Sequence, residues 1–241
     1  MKAHDVFLLH AYSPRNSGDG SNSMTQFAIL SLWGARKHGI PVRAPLLAAA
    51  VSFHQGQKRN GSWNYHMQPI LHDANTCAGL LALAMEKALR EDKDFAGQSA
   101  KDPPPNPAVK EMRARGFAHI ATVIGRTKNS PAPYHDQYTG TLFKADAWGD
   151  YYFLWCLERV AVIYGLTHIG GQDWYAWGSE IVLANQRPEG GWLDKHGEVA
   201  DTAFAMLFLT KANLAKDLTD KLRELLGSED VQAGLPASTK D

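Results

Sequence analysis

Four ionisable side chains, Asp194, His196, Glu198 and Asp201, fall within eight positions of the segment GGWLDKHGEVADTAF, just ahead of an apolar run. Carboxylates and an imidazole at that density are groups that hold a metal ion or pass a proton. The same residues also suit a turn and a helix start, where a carboxylate accepts hydrogen bonds from free backbone amides. His135 and Asp136, flanked by Tyr134 and Tyr138, have the makings of an acid–base pair, although a solvated loop also accounts for them. Glu158 and Arg159 are the most unexpected pair, because they interrupt the otherwise apolar stretch YYFLWCLERVAVIYG. Burying either charge alone is costly, so they must pair or face a wet cavity. In one reading they line a cavity beside Tyr151, Tyr152 and Trp155, with Trp155 and Arg159 on one helix face at i,i+4. In the other they form a structural ion pair between adjacent helices.

The elements that position these groups are helices. Apolar residues recur at helical spacing almost throughout, and no segment alternates with period two over the length of a strand. The spacing predicts helices at about 22–38, 44–55, 75–90, 107–125, 150–164, 174–185, 201–213 and 216–226, with a short one at 3–12. They fall into pairs with a recurring polar start and apolar run. Thr25 and Thr76 are 51 positions apart, as are Asp150 and Asp201. A stacked or circular array of about four helix pairs is expected, forming one domain over 1–241. Charged and Pro-rich residues near 91–106, and the loop at 126–149, read as insertions, and the tail from about 228 reads as flexible. The segment THIGGQDW reads as a Gly-rich helix stop and restart.

Composition excludes some classes of function. Lys+Arg and Asp+Glu both number 25, so there is no net positive charge to neutralise a phosphate backbone, and nucleic acid is not an expected partner. No apolar stretch approaches the ~20 residues of a membrane span, and the N-terminus lacks a secretory apolar region, so a soluble cytoplasmic protein is expected. Cys77 and Cys156 sit in apolar helical patterns and read as buried free thiols. There is no Gly-rich nucleotide fingerprint and no nucleophile elbow. No cofactor and no bound metal are expected.

Two further segments share one form. QKRNGSW (57–63) and QRPEGGW (186–192) are both Gln-x-x-x-Gly-x-Trp. A Gln at a helix end, a Gly able to take positive φ and a Trp folding back would lock a turn against the preceding helix. Helix pairs joined by such turns resemble the terpenoid cyclase and protein prenyltransferase superfamily, in particular squalene-hopene cyclase-like repeat proteins. The resemblance covers about residues 19–215. It implies an α/α toroid, or an open αα arc, whose inner helices surround a cavity for an apolar, isoprenoid-like ligand.

Residue by residue, the resemblance also shows what is missing. Squalene-hopene cyclases carry Asp-x-Asp-Asp-Thr-Ala, whose middle Asp protonates an alkene. Here the stretch is Glu198-Val199-Ala200-Asp201-Thr202-Ala203, and Ala200 stands at the donor's place. The prenyltransferases supply zinc ligands through Asp-x-Cys and Asp-x-x-His, but Asp201 is followed by Ala203 and Phe204. The candidate acids are therefore Glu158, Asp201, Glu198, His135 and Asp136, and the candidate cavity residues are Tyr151, Tyr152, Trp155, Glu158 and Arg159. In a toroid, Asp19, Asp73, Asp150 and Asp201 would gather at the inner-helix starts and offset their positive ends, which favours an uncharged or cationic ligand over a diphosphate. The expected function is a ligand cavity without protonation-initiated cyclisation. The alternative is a structural or protein-interaction module that keeps only the fold. A set of four pairs also leaves an exposed end that a second copy of the chain could cap.

Overall fold

The computed structural model describes residues 22–64, 73–91, 102–125, 150–194 and 196–211, with Lys216, Thr219, Asp220 and Glu224. His135 and Asp136, the 126–149 loop and the tail from 228 lie outside the described residues. The fold is mostly helical: α1 Asn22–Ala35, α2 Arg43–Ser52, α3 Asp73–Glu91, α4 Val109–Ala121, α5 Tyr151–Ile163, α6 Trp174–Ala184 and α7 Glu198–Leu209. Single 3₁₀ turns extend α1 and α2. None of the described helices is long and apolar enough to cross a membrane.

The alternate helices pack in sequence, α1 on α3, α3 on α5 and α5 on α7. The others cover them, with α2 on α1 and α3, α4 on α3, and α6 on α5 and α7. Helix α3 is central and is buried on nearly every side, from Ala74 to Leu89. The core runs through Trp33, Leu46, Leu80, Met85, Leu157, Val182 and Phe208. Cys77 and Cys156 are free thiols inside it, and burial pushes both thiol pKa values up.

The two Gln-x-x-x-Gly-x-Trp turns fold by the same bonds. Trp63 Nε1 donates to Phe53 O, and Trp192 Nε1 to Val182 O, each at 2.8 Å and each ten residues back. Gln57 Nε2 donates to Gly61 O and Gln186 Nε2 to Gly190 O. The Trp63 and Trp192 amides reach the hydroxyls of Thr76 and Thr202 near the starts of α3 and α7. Gly61 and Gly190 take φ of 86° and 93°, where a side chain would be strained. Each turn thus binds the end of one helix to the beginning of the next, with an indole as the wedge.

Three expectations need correction. The segment THIGGQDW is a small antiparallel hairpin, pairing His168 with Asp173 and Ile169 with Gln172. Gly170 and Gly171 both take positive φ, as its two-residue turn requires. Second, α7 begins at Glu198, not at Asp201, so Asp201 lies inside the first turn. Third, Asp150 and Asp201 do not occupy equivalent places despite their spacing. Asp150 is the N-cap of α5 and accepts from Phe153 N, whereas Asp201 points back into the preceding turn.

Candidate functional site

Helix α5 carries most of the predicted site residues. Asp150 caps its start, and Gly165 ends it at a φ of 66°, with Leu166 N reaching back to Ala161 O. Along this rigid segment Tyr152, Trp155, Cys156 and Arg159 share one side, at spacings of three and four. Tyr151 and Glu158, seven apart, fall on a different flank.

Aromatic rings from the neighbouring elements converge on the Tyr152 side. Phe27 of α1 stacks on Trp155 with ring centroids 5.3 Å apart, and Phe204 of α7 lies 5.0 Å from the same indole. Tyr152 contacts Phe27, Phe204 and the ring of His196. Trp155 is only 3% exposed, whereas Phe27 is 43% exposed. The result is an aromatic face with its indole inside and a phenyl ring at its surface. Such a face is suited to apolar surfaces and π-systems.

Beneath the rings lies a polar network. Gln26 Nε2 donates to the Tyr152 hydroxyl and approaches Cys156 Sγ, while its Oε1 accepts from Arg159 Nη2 at 2.8 Å. The Arg159 guanidinium lies 3.5 Å from the Trp155 ring centroid, within cation–π range. Gln26 is 1% exposed and Arg159 6%. Burial pushes the Tyr152 pKa well above that of an ordinary phenol, so this hydroxyl is neutral at physiological pH.

The other predicted residues are placed apart from this network. Glu158 is fully buried, and neither carboxylate oxygen has a hydrogen-bond partner among the described residues. Burial raises its pKa to about 7, against the opposing pull of Arg159 and Lys211. Tyr151 is buried, and desolvation, with Asp194 and Asp201 nearby, pushes it up to about 12. Asp201 Oδ2 accepts from the amides of Asp194 and His196, at 2.7 and 3.3 Å. Its carboxylate therefore closes the turn after Trp192. Glu198 is exposed and pairs with Arg187 at 3.3 Å. Among the described residues no three His, Cys, Asp or Glu side chains gather in a way that could hold a metal ion.

Gln26, Phe27 and Phe204 were not singled out in the sequence. The available signal was Gln26 itself, a polar residue within the apolar run TQFAILSLW, matching the polar interruption of α5 by Arg159. No protein-family model, curated protein or solved structure matches the chain.

Proposed function

We propose that the protein is an α/α toroid or open αα arc that binds an apolar, isoprenoid-like molecule on its inner aromatic face, without protonation-initiated cyclisation. In this reading α1, α3, α5 and α7 are the inner helices and α2, α4 and α6 the outer ones. The observation that carries it is the convergence of Phe27, Tyr152, Trp155 and Phe204 from three of the proposed inner helices, with Phe27 left exposed. Clustered rings with one member exposed offer large apolar area at little conformational cost. Ala200 occupies the donor's place in the resembled motif, and Asp201 is committed to backbone amides. Neither supplies the strong acid that alkene protonation needs.

The second reading, a protein-interaction or structural module, rests on the near-complete burial of Trp155 between Phe27 and Phe204. A centre filled by the protein's own rings leaves no room for a ligand. Native mass spectrometry of the whole chain mixed with a C15 or C30 isoprenoid separates the two. The binding reading expects a one-to-one adduct that is weakened in Phe27→Ala; an apo mass at every ligand concentration supports the module instead.

A further inference from the structure

The charge balance around Arg159 is incomplete. A guanidinium has five N–H donors and keeps its charge at any physiological pH. Arg159 Nη2 is used by Gln26 Oε1 and Cys156 Sγ, but the buried Nε and Nη1 have no hydrogen-bond partner among the described residues. Among the described residues, no carboxylate oxygen lies within ion-pair distance of it. Two other arginines of the same chain are treated differently. The buried Arg43, 4% exposed, has Asp102 at 2.5 Å, and the half-buried Arg90 has Glu86 at 2.7 Å.

The groups facing Arg159 do not supply the missing anion. Gln26 and Trp155 are uncharged, and burial keeps the Tyr152 hydroxyl and the Cys156 thiol protonated at neutral pH. Glu158, the preceding residue, lies on another flank of α5, outside ion-pair reach, and its raised pKa leaves it only partly ionised near neutrality. A buried cation without a hydrogen-bonded counter-charge is costly, which makes it a natural receiver for an anion brought by a ligand.

We infer that Arg159 forms the head-group subsite of the aromatic face, and that the ligand is an amphipathic monocarboxylate whose apolar body lies against Phe27 and Phe204 while its carboxylate accepts from Nη1 of Arg159. This rests on the binding reading above and replaces the uncharged or cationic ligand expected from the acidic helix starts. A single guanidinium matches one negative charge.

Calorimetric titration of the full chain with a C15 isoprenoid alcohol, the acid of the same carbon skeleton and the corresponding diphosphate tests this. At pH 7.5 the acid is expected to bind at least tenfold more tightly than the alcohol. Arg159→Met is expected to erase that preference, so that acid and alcohol bind with the same affinity, whatever the change in that common affinity from loss of the support under Trp155. Equal affinity of acid and alcohol for the wild-type protein overturns the carboxylate subsite and leaves the aromatic-face reading standing. A diphosphate that binds more tightly than the acid also overturns it. Failure of all three to bind removes both readings. Where Arg159→Met does not fold, the carbon-13 signal of a carboxyl-labelled acid bound to wild type decides: its pKa must fall below the free value, and an unchanged or raised pKa contradicts contact with the guanidinium.

Discussion

The guanidinium of Arg159 lies over the Trp155 indole and donates to Gln26 Oε1 at 2.8 Å, so one side chain of α5 both supports the aromatic face and ties it to α1. Helices α1 and α5 are separated in sequence by α2, α3 and α4, and this link therefore fixes the distance across which Phe27 meets Trp155. Replacing Gln26 by Leu leaves the Arg159 Nη2 donor without its oxygen acceptor, in a site that is already short of acceptors. Gln26→Leu is expected to destabilise the protein by about 2–3 kcal/mol, as removing a partner from a buried charged donor does. Urea denaturation followed by circular dichroism measures it.

Glu158 gives a pH signature with a definite sign. Its pKa is raised from 4.5 to about 7, so the native state holds the proton more tightly than the unfolded chain. Its effect on stability is therefore unfavourable as pH rises above about 4.5, and it grows until pH passes about 7. Glu158→Gln removes this dependence. The variant is expected to gain on wild type between pH 5 and 8, up to about 2–3 kcal/mol. Melting curves for both proteins across that range check it, and parallel curves would contradict the assignment.

Glu86 behaves oppositely. It is buried and accepts from His54 Nε2 at 2.5 Å and from Arg90 Nε at 2.8 Å. Desolvation is the largest single effect and raises its pKa, but the hydrogen bonds and charges of His54 and Arg90 together outweigh it and hold the pKa below the ordinary 4.5. Its stabilisation is present above the unfolded pKa and is lost as pH falls through the lower native value. Glu86→Gln is therefore expected to cost about 1–3 kcal/mol at pH 7 and progressively less below pH 4. The measurement is the difference between the two unfolding free energies at pH 7 and pH 3.5.

The glycines offer a pair of opposite signs. A Cβ on Gly79 would meet the Trp63 ring at 2.4 Å, in the turn that joins α3 to the helix before it. Gly79→Ala must displace a fully buried indole and is expected to cost about 1–3 kcal/mol. A Cβ on Gly34, in the last turn of α1, meets nothing within 4 Å among the described residues. Gly34→Ala is expected to stabilise by up to about 1 kcal/mol. Thermal melts of the two single variants check both signs.

The helices were legible because their apolar spacing is dense and their ends carry strong punctuation, such as Asp150 before α5 and Gly165 after it. The Trp turns were legible because Gly61 and Gly190 fall at the one place where positive φ is needed. The hairpin was missed because two-residue strands have no period to detect. The Asp194–Asp201 cluster looked like a site because spacing cannot show that Asp201 is already occupied by two backbone amides. On α5, the i,i+4 spacing brought Trp155 and Arg159 together on one face. The contribution of Gln26, Phe27 and Phe204 was not legible, since it depends on which turns of α1 and α7 lie opposite α5, a matter of tertiary packing rather than of local pattern.

The central claim is that the face of Phe27, Tyr152, Trp155 and Phe204 receives an apolar ligand. Its most direct measurement is titration of the full chain with a neutral C15 isoprenoid alcohol, followed by calorimetry, for wild type and Phe27→Ala. The account predicts saturable binding of one molecule per chain, weakened about tenfold when the exposed ring is removed, as expected for loss of roughly 1–2 kcal/mol of apolar contact. Absence of saturable binding, or an affinity that Phe27→Ala leaves unchanged, would contradict it.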